Sequence, residues 1–318
     1  MIGTDERQEI LRTYEEMEQE GYMLHLSGSI SARADDDSFY IAGNEMRTEP
    51  LDAQSVRRVR IKRPEGRLSI HAMIYRNRED AGAIAFTRQC YASALGVISR
   101  HDLPAVNEAG ERVKIRIAPF SIPGSDAQRS HIYRIVGKDA SFFVTANEGV
   151  YVFGPDCGSL LGAARALESF AVSYLRELCS TDVPFGVVHG FDSVKTDGDI
   201  IYTDRGTPAR VKLIHEQIYA DQPDARAVVH NVSEAAKTVS RLGLRPELYY
   251  DDMVSLSTLQ RTVFGYDDGV YCFGKDPDDA ALAADSIERA CVAQLAAVRL
   301  GTAYCISGRD AGRMKRMV

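Results

Sequence analysis

The sequence lacks the cysteine spacing of metal-binding and disulfide-rich proteins. Its six cysteines are scattered, and no two of them stand in a Cys-x-x-Cys spacing. No apolar run approaches the roughly 20 residues that a membrane helix requires. We therefore expect no thiolate metal site, no disulfide framework and no membrane partner.

The N-terminus lacks the pattern of a secretory signal. Such a signal begins with a basic segment and continues with an apolar one, whereas Asp5 and Glu6 occupy the start of this chain. Together with the scattered cysteines, this predicts a cytoplasmic, reduced setting.

The chain also lacks an excess of positive charge. Its formal net charge is −7, and the basic residues are dispersed, apart from the run between Arg57 and Arg63. In that run Val59 and Ile61 alternate with charged residues, which is typical of a half-exposed strand. A clustered basic face is what nucleic acid binding needs, so we expect no nucleic acid partner.

What the chain does contain is an internal repeat. Two blocks separated by 144 positions match without a gap, and a second pair, starting at Asn147 and Asp267, is separated by 120. The matched positions of the first pair are Pro64 and Pro208, His71 and His215, Tyr75 and Tyr219, and Asp80 and Asp224. This predicts two related domains, residues 1–180 and a shortened copy over 181–318.

Hydrophobic periodicity predicts alternating helices and strands. The predicted helices cover residues 5–24, 68–77, 89–100, 126–136, 159–178 and 278–300. The predicted strands cover residues 30–33, 38–42, 56–61, 82–87, 113–118, 142–146, 150–153, 186–189 and 199–203. We expect the tail, residues 309–318, to be frayed.

The repeated motifs resemble those of the class II aldolase/adducin family, typified by fuculose-phosphate aldolase. That family has a Pro-x-x-Glu-x-x-x-His helix start, a Pro-Asp-x-x-Ala-Val-Val-His-x-His strand and an Asn-His-Gly-Val hairpin, and both repeats keep the frame of all three. The resemblance implies an α/β fold class, with two tandem α/β/α domains around mostly antiparallel sheets, the second shortened. It also implies fourfold tetramers, a zinc ion held by three histidines, and a glutamate acid/base.

The family's functional positions carry different residues in this chain. In repeat one they are Arg67 for the glutamate, Phe86 and Arg88 for the strand histidines, and Glu148 for the hairpin histidine. In repeat two they are Val211, His230, Val232 and Asp268. Neither repeat keeps a full ligand set, so we expect no metal cofactor. Zinc or another divalent metal at His230 and Asp268 is the alternative.

In repeat one, the two arginines would oppose a metal ion. A guanidinium has no lone pair to donate, and a unit charge 4 Å away at an effective dielectric of 20 contributes about 4 kcal/mol. Arg67 and Arg88 are therefore predicted to bind a small anionic substrate, and Glu148 to act in catalysis or to pair with one of them. The alternative is a charge-for-metal replacement without catalysis.

In repeat two, His230 is the predicted general base, with Asp268 orienting its ring. A hydrogen-bonded polar plug is the alternative. His71 and His215 occupy matching helical positions, which favours a packing role for both. His189 ends a predicted strand early in repeat two and could approach His230. A metal site in repeat two would then have to be considered again.

Two classes of function follow. The first is a lyase, dehydratase or isomerase that uses a remodelled pocket on a small polar carbonyl or carboxylate compound. The second is a non-catalytic, adducin-like scaffold or binding protein, and an ordinary zinc-dependent aldolase ranks third. Because each chain supplies two domains, a homodimer could imitate the family's fourfold ring as a pseudo-tetramer of domains.

Overall fold

The computed structural model describes residues 2–23, 28–43, 51–62, 68–106, 112–137, 141–179 and 186–316. The chain divides into two compact units. Unit 1 comprises residues 1–180 and 302–304, and unit 2 comprises residues 181–301 and 305–318.

The helices of unit 1 are α1 Ile2–Gln19, α2 Leu68–Asn77, α3 Cys90–Ile98, α4 Asp126–Ile135 and α5 Cys157–Cys179. Its strands are β1 Ser29–Asp35, β2 Ser38–Gly43, β3 Arg57–Arg60, β4 Ala83–Thr87, β5 Leu103–Val106, β6 Arg112–Ile115, β7 Ile117–Ala118, β8 Phe142–Thr145 and β9 Gly149–Gly154. These elements follow the predicted order closely, because each one has a clear period of 2 or 3.6 residues in its apolar positions.

The sheet of unit 1 has the order β3-β2-β1-β4-β9-β8-β7. Its pairs are antiparallel except for β7 with β8, and β5 pairs with β6 in a separate ribbon. Ile84 and Phe86 stand opposite Phe153 and Tyr151 and face a core closed by α2 and α4. Helices α1, α3 and α5 pack together against the sheet outside that core.

Unit 2 contains β10 Ser193–Lys195, β11 Ile200–Tyr202, α6 Ala209–Asp221, β12 Ala227–Asn231, α7 Glu234–Arg241, α8 Asp251–Ser255, a 3₁₀ turn Thr258–Arg261, β13 Thr262–Tyr266, β14 Gly269–Gly274, α9 Pro277–Leu300 and α10 Gly308–Met314. Helix α9 begins at a cap in which Asp276 accepts from the backbone N–H of Asp279 at 2.8 Å. It ends at Gly301, which has a left-handed φ of 69°.

The sheet of unit 2 is antiparallel throughout, in the order β11-β10-β12-β14-β13. Helix α6 closes the core on one face, and α7 and α9 pack against β12, β13 and β14. Five strands of unit 1, β2-β1-β4-β9-β8, run in the corresponding order. The predicted α/β fold class with mostly antiparallel sheets is confirmed.

Three local predictions were wrong. Residues 186–189 form only a single bridge, His189 with Asn231, and the first strand of unit 2 lies at Ser193–Lys195. The ladder stops there because the backbone N–H of His230 donates to the Asp192 carboxylate at 2.8 Å instead of to a carbonyl. The predicted strand 113–118 is split between β6 and β7, which pair with different partners.

The tail is the third correction. Residues 308–314 form α10, because the Ser307 hydroxyl caps the helix by accepting from the backbone N–H of Asp310 at 3.1 Å, while Ala311 and Met314 are buried.

Among the described residues, no helix is both long enough and apolar enough to cross a bilayer.

Candidate functional site

In unit 1, two of the three positions that the resemblance assigns to metal ligands carry polar residues, Arg88 and Glu148, which contact each other. Arg88 is buried, and its Nη1 donates to the main-chain oxygen of Glu148 at 3.1 Å. The guanidinium also lies over the Phe86 ring, 5.3 Å from its centroid. Glu148 is buried as well and accepts from Gln128 Nε2 at 2.6 Å.

The structure therefore brings Arg88 and Glu148 together, with a contact through the main chain of Glu148. The predicted ion pair between their side chains stays a prediction. Arg67, the other predicted anion-binding residue, lies outside the described residues.

In unit 2, His230 is held against an aromatic ring. His230 on β12 stands directly opposite Tyr271 on β14. Their rings are stacked, with centroids 4.1 Å apart and planes 7° apart. His230 is only 2% exposed. Because cross-strand neighbours share one face of a sheet, both rings face the side closed by α6.

Asp268 lies in the turn between β13 and β14, beside these rings. Its Oδ2 accepts from the Tyr271 hydroxyl at 3.2 Å. Its Oδ1 is 3.9 Å from His230 Nε2, which is too long for a hydrogen bond. The structure thus places the predicted pair side by side, with no side-chain hydrogen bond between the two residues. The general-base role of His230 and the hydrogen-bonded plug both stay predictions.

Several buried polar atoms at this point have no hydrogen-bond partner among the described residues. They are His230 Nδ1, His230 Nε2, His215 Nε2 and Asp268 Oδ1. Leaving such atoms unsatisfied costs roughly 1–3 kcal/mol each, so native proteins rarely do so without a bound water, ion or ligand. Asp268 is partly exposed, so the cluster reaches the surface at this residue.

Both imidazoles favour the neutral form. Burial lowers the pKa of His230, while Asp268 and Asp192 oppose that shift. Burial, with the neighbouring His230 acting in the same direction, lowers the pKa of His215 to about 4. At neutral pH each ring therefore offers one lone pair and one N–H.

His189 does not complete a metal site. Its Nδ1 contacts Asp192 Oδ2 at 2.6 Å, which raises the pKa of the half-exposed imidazole. Among the described residues, no group of three or more His, Cys, Asp or Glu side chains is arranged to hold a metal ion.

Sequence reasoning missed a hydrogen-bonded trio that occurs in both units. In unit 1, Ser31 Oγ contacts His71 Nδ1 at 2.8 Å and the Tyr75 hydroxyl at 2.9 Å. In unit 2, Ser193 Oγ contacts His215 Nδ1 at 2.7 Å and the Tyr219 hydroxyl at 2.9 Å. The signal was the tyrosine pair, which repeats at the same 144-residue separation as the histidines.

Comparison with known families decides the identity of this fold. The model of the Class II Aldolase and Adducin N-terminal domain matches residues 8–175 and 180–261. The chain belongs to this family. The name of the family covers class II aldolases, which are lyase-type enzymes, and adducin. A search of curated proteins returned no match.

Solved structures of this family are similar at low identity. YgbL from Escherichia coli is 19% identical, with a TM-score of 0.47, over 65% of this chain and 97% of that protein. L-fuculose-1-phosphate aldolase from Thermus thermophilus is 15% identical, with a TM-score of 0.45, over 54% and 92%. A sugar-phosphate aldolase from Thermotoga maritima is 16% identical, with a TM-score of 0.44, over 57% and 98%.

The residues of this chain do not fit the three-histidine zinc site that the resemblance implies. Phe86 and Arg88 carry no lone pair for a metal, and Arg88 is instead bonded to the Glu148 main chain. In unit 2, valines stand at positions 211 and 232, leaving His230 and Asp268. Two donors are fewer than the three or four that tight zinc binding uses.

Proposed function

We propose that this chain is a lyase, dehydratase or isomerase whose reaction takes place in unit 2, at His230 and Asp268, without a three-histidine zinc site. Its substrate is a small polar carbonyl or carboxylate compound. The observation that carries this proposal is the group of unpartnered polar atoms around Tyr271. A neutral imidazole has one unprotonated nitrogen, which can take a proton from a carbon next to a carbonyl.

Unit 1 has a different part in this proposal. Arg88, with Arg67, would bind a small anion such as a carboxylate or phosphate. The alternative is a charge-for-metal replacement without catalysis, which the contacts of Arg88 and Glu148 support. The catalytic role predicted for Glu148 stays a prediction. We infer from the shared strand order and the repeated motifs that the two units arose by duplication.

Hydrogen–deuterium exchange into substrate tests the proposal, because lyases, dehydratases and isomerases of this kind share removal of a carbon-bound proton. The protein is incubated in D₂O with a panel of small hydroxyaldehydes, hydroxyketones and hydroxyacids, and deuterium incorporation is followed by NMR. We expect incorporation at the carbon next to the carbonyl. His230→Gln and Asp268→Asn should each slow it at least about 100-fold.

The matched control is His71→Gln in unit 1, which should leave the exchange rate unchanged. If no compound exchanges deuterium, the non-catalytic, adducin-like function is favoured. The contacts of Arg88 and Glu148 in unit 1 also support that function. Elemental analysis adds an independent check. Zinc retained at one equivalent per chain after dialysis would contradict the metal-free pocket.

We also propose a homodimer, in which four family-like domains form a pseudo-fourfold ring. Light scattering should give twice the mass of one chain, and a stable monomer would contradict this. The cytoplasmic location stays a prediction from the sequence.

A further inference from the structure

A chain of hydrogen bonds links His215 to Tyr219 through Ser193. The Tyr219 hydroxyl donates to the main-chain oxygen of Ser193 at 3.0 Å. The Ser193 hydroxyl lies 2.9 Å from the Tyr219 oxygen and 2.7 Å from His215 Nδ1. When Tyr219 gives its one proton to the carbonyl, Ser193 donates to Tyr219 and accepts from His215 Nδ1. We infer this tautomer, which leaves a lone pair at His215 Nε2.

The Nε2 atom of His215 has no hydrogen-bond partner among the described residues, whereas the matching atom of His71 in unit 1 has one. Ser29, two residues before Ser31, contacts Nε2 of His71 at 2.9 Å. Two residues before Ser193 stands Phe191, which has no side-chain polar atom. His215 Nε2 has no hydrogen-bond partner among the described residues, although the side chain is fully buried.

The His215 Nε2 atom belongs to the same cluster as His230 and Asp268. His215 meets the Tyr271 ring edge-on, with centroids 5.5 Å apart, and His230 is stacked on that ring. The hydroxyl of Tyr271 donates to Asp268. Tyr271 therefore contacts all three of the side chains in this cluster that carry unpartnered atoms, His215, His230 and Asp268.

The count of donors and acceptors in this cluster restricts its ligand. Acceptors are offered by His215 Nε2, by one nitrogen of His230 and by Asp268 Oδ1, whereas the other nitrogen of His230 is the one donor among these atoms. A carboxylate or phosphate would bring only acceptors and would be repelled by Asp268. Hydroxyl groups, in contrast, each bring a donor and carry no charge.

We propose that His215 is a ligand-contacting residue of the unit 2 site, and that this site takes a small uncharged compound with hydroxyl groups on adjacent carbons. The proposal rests on the proposed function, since the same site is the reaction site, and it narrows the substrate of that site from carbonyl or carboxylate compounds to uncharged hydroxy-carbonyl compounds. One hydroxyl donates to His215 Nε2, and its neighbour lies between His230 and Asp268. Ser193 and Tyr219 act through His215 and are positioning residues.

The protonation of His215 is measured directly by NMR of protein labelled with ¹⁵N in the histidine rings. Protonated and unprotonated ring nitrogens have well-separated ¹⁵N shifts. We expect Nδ1 protonated and Nε2 unprotonated at pH 7. Ser193→Ala removes the acceptor of Nδ1 and should produce a mixture of the two tautomers. A protonated Nε2 in the unaltered protein would overturn the proposal.

Ligand class is tested with erythritol and its matching carboxylate, erythronate, as probes. Erythritol should cause a saturable shift of the His215 Nε2 signal, and erythronate should bind at least about tenfold more weakly. Phe191→Ser supplies an internal hydroxyl to His215 and should weaken erythritol binding about three- to tenfold, as the loss of one hydrogen bond does. Ser29→Ala, the matched change in unit 1, should have no effect.

Equal or tighter binding of erythronate, or no response to erythritol, would overturn the ligand class. A failure of the proposed function would give a different result from a failure of this inference. If erythritol binds as described but no compound exchanges deuterium, unit 2 is a binding site and not a reaction site. If deuterium exchange occurs and Phe191→Ser leaves erythritol binding unchanged, the role of His215 is wrong while the reaction at His230 stands.

Discussion

At the scale of single residues, each unit has a glutamate from its long helix buried at the start of another helix. In unit 1, Glu168 accepts from the backbone N–H groups of Tyr91 and Ala92, both at 2.9 Å. In unit 2, Glu288 accepts from Asn231 at 2.8 Å and Ser233 at 2.5 Å. A carboxylate at a helix N-terminus satisfies free donors and the helix dipole.

Glu288 should make the stability of the protein depend on pH. Burial raises the pKa of this carboxyl to about 7, whereas the unfolded value is about 4.5. The folded state therefore keeps a proton that the unfolded state has lost, and the contribution to stability is full below pH 4.5 and falls as pH rises to about 7. Between pH 5 and pH 8, Glu288→Gln should gain roughly 3 kcal/mol relative to wild type.

Urea denaturation at the two pH values measures this difference, with Glu216→Gln as an exposed control. A constant difference between Glu288→Gln and wild type across this range would show that another group holds the proton.

At the scale of elements, the hairpin of β13 and β14 determines where Asp268 lies. Gly269 follows Asp268 and has φ of +137°, and a Cβ there would come within 2.2 Å of the main-chain oxygen of Asn231 on β12. In unit 1, a Cβ at Gly149 would meet the Thr87 oxygen at 2.4 Å. Close approach of the backbones requires glycine at both turns.

Gly269→Ala should therefore disturb the hairpin itself. The added methyl collides with backbone that cannot yield cheaply, so we expect a loss of more than about 3 kcal/mol of unfolding free energy, and loss of amide protection in β12 and β14. Hydrogen exchange and urea denaturation measure these effects.

Gly265→Ala in β13 is the matched control. Its φ is also positive, +100°, but a Cβ there meets nothing within 4 Å, so only backbone strain of about 1–3 kcal/mol is expected. Equal losses in the two variants would mean that the collision has no part in the effect.

At the scale of the whole molecule, the two histidines that occupy matching positions in the two units, His71 and His215, are both buried and neutral. Burial lowers the pKa of His71 to about 3 and that of His215 to about 4. Both values lie below the unfolded value of about 6.5, so the unfolded state binds protons first as pH falls. The stability that depends on the neutral rings is complete above pH 6.5 and is lost as pH falls towards the folded values.

The protein should therefore become less stable between pH 7 and pH 5, by about 2 kcal/mol for each histidine. The double variant His71→Gln/His215→Gln should lose correspondingly less over this interval. Denaturation curves at both pH values measure the effect, and exposed His101→Gln is the control. An unchanged acid dependence in the double variant would contradict the assignment.

Much of the fold was predictable because its signals are local. The helix Leu68–Asn77 was predicted at this position, with an end near residues 78–80, and the hairpin of β8 and β9 was predicted from alternating apolar residues around a turn. The errors came where side chains replace backbone partners. Asp192 interrupts the ladder before β10, and Ser307 caps a tail helix with little periodicity.

The sequence by itself determined the order of most elements, the family motifs and which residues stand at the family's ligand positions, since each of these depends on one short segment. Only the tertiary structure decided which polar atoms have partners. Ser193, His215, His230 and Tyr271 come from β10, α6, β12 and β14, and they meet only after the sheet of unit 2 has formed. Whether a buried polar atom has a hydrogen-bond partner depends on its neighbours in three dimensions. The spacing of apolar residues along the chain does not determine those neighbours.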